Sequence, residues 1–404
     1  QESKSILSGP VRRSESVVTV TQVAGHIQIL DGVKMHWTLG LLTLCSVIFR
    51  LNAIVKVERK IITFNTALQY SIPMKQLRRQ NLLKGLEASN ADVVCLQEVY
   101  HVSDTVWLRD RLSKKFPQSL SFNYILVNKV TGEPLCKNPN VTAFLQCKLN
   151  QCSTGNNNSV ENDIIVFMRC LLTNCASLLF GMPQSCLTCF FLFPDPTEAL
   201  NVCMNPNTGI NVPGLLLLSK YPFNDARALE HHKDVMEIAK QGYLVANIKT
   251  IGTVICTHFA TRFLEDLYPE VLLPYANYAS QNLIELRQLL EVFKHTKPLI
   301  LTGDFNTGPQ QADKDVCEYN PESYKVLTCL TSNLEHTILD KCTYCKDNTW
   351  SHEKCNVIID HVFVRGITIK EIKRIFDQRT VKMDTKSYHV SDHYGVMATI
   401  LVGQ

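Results

Sequence analysis

Six apolar segments of this 404-residue chain carry a carboxylate, an amide or an imidazole at an edge or in mid-run. Asn65 follows Thr63-Phe64, and Glu98 ends "VVCLQE". His258 comes directly after the apolar run of "VICTHFA", while Asp304 and Asn306 close "PLILTGDFNTGP". Asp360 lies in "IIDHVFV", and Asp392 with His393 opens "SDHYGV". Taken singly, each has an ordinary explanation, because Asp, Asn and Gly are turn residues and a buried polar group is normally satisfied by its surroundings. Recurrence at six strand ends points further, since open α/β sheets build their sites there. The inventory suits one chemistry. Glu98 and Asn65 offer hard oxygen ligands of the kind Mg²⁺ or another divalent cation takes. Two histidines can act as acid, base or phosphate donor near neutral pH. Asp360 or Asp392 can hold a histidine in one tautomer. A glycine-rich phosphate loop, a G-x-S-x-G elbow and an H-E-x-x-H pair are all missing from the sequence. Metal-assisted attack of water on a phosphoester fits the set best.

The elements that must position these residues alternate from Lys60 onward. "KIITFNTAL" reads as a strand, Met74–Ala88 as a helix carrying Leu77, Leu82, Leu83 and Leu86, and "ADVVCLQEV" as a second strand. A helical stretch from Asp104 to Phe116 and a strand "FNYILVN" follow. After an interruption at 131–212 come the strand-like "GLLLLSKYPF", "GYLVANIKT" and "GTVICTHFA". A long helix then shows an apolar stripe of Ala276, Ala279, Leu283, Leu286, Leu290 and Phe293. The alternation predicts an α/β domain.

Charge and cysteines set the context. A net charge of +4 gives no electrostatic argument for a nucleic-acid partner, and it leaves an anionic lipid surface open. Sixteen cysteines, eight of them between Cys136 and Cys203, point to disulfides and an oxidising, extracellular setting. From Met35, the run "MHWTLGLLTLCSVIFRLNA" resembles a secretory signal peptide, so 1–53 is expected to be an extension plus leader and 54–404 the catalytic domain. Loss of Cys45 would leave an odd count, and so at least one free thiol or an intermolecular bridge. Cys95 and Cys256, inside apolar strands, read as small buried cysteines. The C-x-x-C pairs Cys186/Cys189 and Cys342/Cys345 read as disulfide cysteines ahead of zinc ligands. Sequons at Asn140 and Asn157 fit the same setting. The insertion's apolar runs, Ile164–Phe180 and Cys186–Phe193, are expected to be buried within a stapled subdomain; the alternative is that "CFFLF" docks on membrane.

In this order, "TFNTAL", "VVCLQEV", "CTHFA", "LTGDFNT", "IDHVFV" and "SDHYGV" resemble the endonuclease/exonuclease/phosphatase superfamily, the deoxyribonuclease-I-like fold. Within it, "GLLLLSKYPF", "KQGYLVANI", "THFAT" and "SDHYGV" are most similar to neutral and bacterial sphingomyelinases. The resemblance implies a four-layer sandwich of two packed mixed β-sheets flanked by helices, here interrupted by the disulfide-rich insertion 131–212. It implies Glu98 as the main Mg²⁺ ligand with Asn65 beside it, and His393 as the general base oriented by Asp360. Asp304 and Asn306 would bind and polarise the phosphate and the attacking water, and His258 would donate to the phosphate or assist the leaving group. Asp392 would lie by the metal or orient a histidine. The expected activity is hydrolysis of a phospholipid, sphingomyelin first, with the membrane surface as partner. A secreted nuclease and an inactive binding protein of the same fold are the alternatives, and no protein partner is inferable.

Overall fold

The chain falls into two units, Gln1–Ala53 and Ile54–Gln404. The computed structural model describes residues 56–403 of the second, apart from 70–71, 126–135, 137–138, 153–169, 172, 193–200, 206–208, 232–239, 263–274, 330–332 and 352–353.

Two six-stranded sheets form the centre. Across the first the strands run Thr368–Ile375, Gly395–Gly403, Lys56–Asn65, Val93–Gln97, Leu216–Ser219, Gln118–Ser121. Across the second they run Glu335–His336, Asp360–Arg365, Leu299–Asp304, Gly252–His258, Gly242–Ile248, Phe223–Glu230. In each sheet the two middle strands are parallel and their other neighbours antiparallel, so both sheets are mixed.

A period of two explains the layering. Val93 and Cys95 face the inter-sheet core with Val254, Cys256, Ile300 and Val362, whereas Val94 and Leu96 face the outer layer with Leu82, Leu86 and Leu108. Ile255, Leu299, Leu301 and Phe363 likewise turn outward onto Leu286, Leu289 and Leu327. Strands buried on both faces therefore sit between helices Lys75–Ala88 and Val102–Leu112 on one side and Tyr278–Val292 and Pro321–Thr328 on the other. This is the four-layer sandwich.

Several readings shift. Cys95 and Cys256 are joined in a disulfide, with Cα atoms 5.4 Å apart, because both side chains point into the same inter-sheet core. The Lys75–Ala88 helix buries Arg78 where Leu77 was expected, and Leu77 is exposed. On the long helix the buried face is Gln281, Asn282, Glu285, Leu286 and Leu289, so the expected stripe is rotated and Ala276 is exposed. The third predicted strand begins earlier, at Gln118–Ser121; its Tyr124–Ile125 pairs instead with Gly209–Ile210, and 126–128 lie outside the described residues.

The insertion is stapled by Cys136–Cys186, Cys147–Cys175, Cys152–Cys170 and Cys189–Cys203. It has its own core of Phe144, Leu145, Leu171, Met182, Leu187 and Phe190. In "CFFLF", Cys189 and Phe190 are buried, Phe190 against Phe144; Phe191's side chain and Phe193 lie outside the described residues, as does Asn157. All four C-x-x-C cysteines are in disulfides, which leaves no thiolate there for zinc. Among the described residues no helix is long and apolar enough to cross a membrane.

The Cys95–Cys256 bridge closes a loop of 161 residues across the two sheets. The double variant Cys95→Ala/Cys256→Ala is expected to lose about 2–4 kcal/mol of stability. Urea unfolding followed by fluorescence checks this; an unchanged midpoint would contradict it.

Candidate active site

Both parallel strand pairs run out at the same end of the sandwich. Asn65, Glu98 and the Ser391–His393 segment arrive from the first sheet, and His258, Asp304 and Asp360 from the second. Register places Asp304 opposite both His258 and Asp360. The approach depends on glycine: a Cβ on Gly303 would collide with the Thr257 carbonyl, and one on Gly308 with the Ile358 carbonyl. These contacts account for both glycines of "GDFNTG".

Asp304 is the hub. Its Oδ2 accepts from Asn65 Nδ2 at 3.0 Å, and its Oδ1 accepts from the Asn306 N–H at 2.9 Å. His258 Nε2 and His393 Nε2 stand 3.5 and 3.8 Å from Oδ2. His393 Nδ1 is 2.9 Å from Asp360 Oδ2, a bond that fixes the ring with Nε2 toward Asp304. Asp304, Asp360 and His393 present ligand atoms within 4.8 Å of one another. All three are buried, as are Asn65, His258 and Asn306, while Glu98 and Asp392 are half-buried and form the more exposed rim of the cluster.

The structure brings every predicted site residue to this one end but gives some of them different neighbours. Asn65 turns its amide oxygen to the Ala67 N–H and its Nδ2 to Glu98 and Asp304, at 3.1 and 3.0 Å, so it bridges two carboxylates and the two sheets. Asn306 donates its Nδ2 to the Phe259 carbonyl, bracing the loop that follows His258. Asp392 Oδ1 lies 3.1 Å from Ser391 Oγ, and its charge bears on Glu98, which puts it on the Glu98 side; Asp360 holds the histidine.

Electrostatics follow from this crowding. Burial first, then Asp392, pushes the Glu98 carboxyl up to about 7. Burial and then Asp360 raise Asp304 to about 7. Burial and the charge of His393 lower His258 to about 4, so it is neutral near pH 7. For His393, burial pulls downward, but the charge and hydrogen bond of Asp360, then Asp304 and Asp392, outweigh it and raise the ring to about 10. The site is short of positive charge.

The residues fit a hard divalent cation. Glu98 Oε2 is buried without a hydrogen-bond partner, beside a second carboxylate, and such an orphaned acceptor is costly unless something binds it. Asp360 Oδ2 is taken up by the His393 hydrogen bond, and its Oδ1 is likewise buried without a partner. Glu98 also adopts φ 59°, a left-handed conformation unfavourable for a side chain of its kind, and Asn306, of a residue type that tolerates that region, has φ 47°.

Sequence reasoning missed the second layer. Asn282 Nδ2 donates to the Ala260 and Phe305 carbonyls, and Glu285 Oε2 accepts from the Ala260 N–H, so the long helix grips both loops of the second sheet. Arg78 donates to the carbonyls of Thr66, Ala67, Ile72, Pro73 and Val390 beneath the first-sheet loops. Ser391 Oγ lies 2.7 Å from Asn65 O and accepts from the His393 N–H at 3.2 Å. The available signal was three polar residues, Gln281, Asn282 and Glu285, interrupting an otherwise apolar helix face.

Residues 62–393 match the endonuclease/exonuclease/phosphatase family, and the chain belongs to that family. No curated protein matches the sequence. Among solved structures it is similar to sphingomyelinase C from Streptomyces griseocarneus, with 15% identity, 85% of this chain and 99% of that one covered, and a TM-score of 0.44. It is also similar to D. rerio TDP2 complexed with a single-strand DNA product (15%, 85% and 98%, 0.45). A third is a beta toxin variant from Staphylococcus aureus with bound magnesium ions (12%, 85% and 99%, 0.44).

The Glu98 carboxyl, raised to about 7, must shed its proton before it binds a cation. Mg²⁺ affinity is therefore expected to fall as pH drops below about 7 and to level off above it. Calorimetry in buffers of different ionisation enthalpy should show proton release near pH 7; a pH-independent affinity would contradict the assignment of this carboxyl.

Proposed function

We propose that the chain is a secreted, Mg²⁺-dependent phosphodiesterase acting on a phospholipid, with sphingomyelin the leading substrate and ceramide and phosphocholine the products. The observation that carries the chemistry is His393 held between two buried carboxylates, its Nδ1 on Asp360 and its Nε2 toward Asp304. Membership of a family composed largely of metal-dependent hydrolases supports it.

Glu98, with Asp392 beside it, would hold the cation. Bound there, the cation would supply positive charge that stabilises the phosphoryl oxygens and eases proton loss from His393. The chain's own residues do the rest. Asp360 fixes the His393 tautomer, so that Nε2 takes the proton of the attacking water, and then stabilises the imidazolium. Asp304 orients the water across from that nitrogen. His258, neutral near pH 7, carries an N–H for a phosphoryl oxygen. Asn65 and Asn306 keep Asp304 and the two loops in place.

Lipid is favoured over nucleic acid by the sphingomyelinase-like stretches and by the mild net charge of +4, where a backbone-tracking nuclease needs a basic surface. The insertion supports a restricted substrate range. On its return, the Asn211 N–H donates to Tyr100 O at 2.7 Å and its Nδ2 to Val99 O at 2.7 Å, which ties the subdomain to the Glu98 rim. Seven disulfides among the described residues support an extracellular site of action.

Purified protein should hydrolyse sphingomyelin vesicles with Mg²⁺ and lose that activity in a chelator. Duplex DNA and phosphoinositides run in parallel decide the substrate class. His393→Ala and Asp360→Asn are each expected to lower kcat by about 10²–10⁴-fold with the fold retained. No Mg²⁺-dependent turnover of any phosphodiester would sink the enzyme reading, and DNA turnover alone would replace the lipid one.

A further inference from the structure

The segment Cys342-Thr343-Tyr344-Cys345 is closed on itself by a disulfide, and the two residues inside the loop are the ones that hold the catalytic pair. Thr343 is fully buried. Its Oγ1 accepts from the Ile359 and Asp360 N–H groups at 3.0 and 3.2 Å, and its carbonyl accepts from the Tyr394 N–H at 2.7 Å. One residue thus fixes the backbone at Asp360 and next to His393. Tyr344 pairs with Val357 and bridges to His393, its ring 4.8 Å from the imidazole.

The disulfide's surroundings favour exchange. Cys342 is half-buried and Cys345 fully buried, so a thiolate arriving from solvent meets Cys342. Arg374 Nη1 lies 3.6 Å from Cys345 Sγ and 3.8 Å from Cys342 Sγ, and a guanidinium so placed stabilises a departing thiolate. With a sequence separation of 3, this bridge closes the shortest loop of the seven and contributes least to restricting the unfolded chain. It can open locally while the long-range bridges keep the sandwich closed.

We propose that Cys342–Cys345 is a thiol-sensitive clamp: closed, it holds Thr343 and Tyr344 so that Asp360 and His393 stay in register, and opened by a small dithiol it releases them. In the exchange, one thiolate of the dithiol bonds to Cys342 Sγ and the Cys342–Cys345 bond breaks, leaving its electron pair on Cys345. The second thiolate then displaces Cys342, so the dithiol becomes a disulfide and both cysteines become thiols. The clamp rests on the reading of Asp360 and His393 as the reacting pair.

The test is a dithiothreitol titration of the intact protein, with alkylation and peptide mapping to show which bridges have opened. Where only Cys342–Cys345 is open, kcat on sphingomyelin should fall about tenfold or more with KM unchanged, and recover on reoxidation. Hydrogen exchange of the Ile359, Asp360 and Tyr394 amides should accelerate in the same window. Cys342→Ser/Cys345→Ser should show the low kcat without dithiol and no further response. Thr343→Ser, which keeps the hydroxyl, should retain activity, and Thr343→Val should lose it. Unchanged exchange at these amides with the bridge open overturns the clamp, as does activity lost only when Cys95–Cys256 opens. Accelerated exchange in a protein that cleaves no phosphodiester supports the clamp and overturns the function proposed above.

Discussion

The dominant constraint in this molecule is negative charge held out of water. Asp304 and Asp360 are buried, with Glu98 and Asp392 at the rim, and a buried carboxylate is costly unless paired or hydrogen-bonded. The fold answers with donors drawn from distant parts of the chain. Asn65 supplies its amide to both Glu98 and Asp304, the Asn306 N–H reaches Asp304, and His393 sits between Asp304 and Asp360. Arg78, fully buried and bound only to carbonyls in its described hydrogen bonds, adds a positive charge close enough to act on Glu98 and Asp392. The Asn65–Asp304 and His393–Asp360 pairings cross from one sheet to the other, so the full charge cluster forms only when the two sheets dock.

That dependence explains why so much of the architecture is inter-sheet or second-layer. The Cys95–Cys256 bridge lies on the strand that leads into Glu98 and the strand that ends in His258, so it fixes the spacing from which both side chains depart. The long helix gives up apolar surface at Asn282 and Glu285 to hold the carbonyls and amide of the loops after His258 and Asp304. Burying those two polar residues is tolerable because each is matched by backbone groups with no strand partner.

The strand-end residues were legible in the sequence because they break apolar runs, and a break at each of six strand ends is a pattern a packed core alone does not produce. The doubly buried strands were legible for the same reason: their β-branched runs lack polar alternation. What stayed hidden depends on faces rather than positions. Choosing between Leu77 and Arg78, or between Leu283 and Asn282, requires knowing which face meets the sheet, and apolarity misleads when the packed face carries polar clamps. The Cys95–Cys256 pairing was hidden because it requires knowing which inward faces meet across the core. The amide orientations of Asn65 and Asn306 were beyond reach too, since each is set by backbone groups brought in by tertiary packing.

The two sides of the site are secured by different means. On the Glu98 side, the backbone is held in a left-handed turn, and the return of the insertion is hydrogen-bonded to the residues that follow it. On the His393 side, the supports are Thr343 and Tyr344, enclosed by a short disulfide, and Ser391, which links the His393 N–H to the carbonyl of Asn65. A change in the insertion would therefore act first on the carboxylates at Glu98 and Asp392. A change at Cys342–Cys345 would act first on the orientation of the imidazole. Asn65 joins the two sides, through its 3.0 Å hydrogen bond to Asp304 and through the contact of its carbonyl with Ser391. Evolution of substrate range on one side and of control on the other is open to such a site without rebuilding the sandwich beneath it.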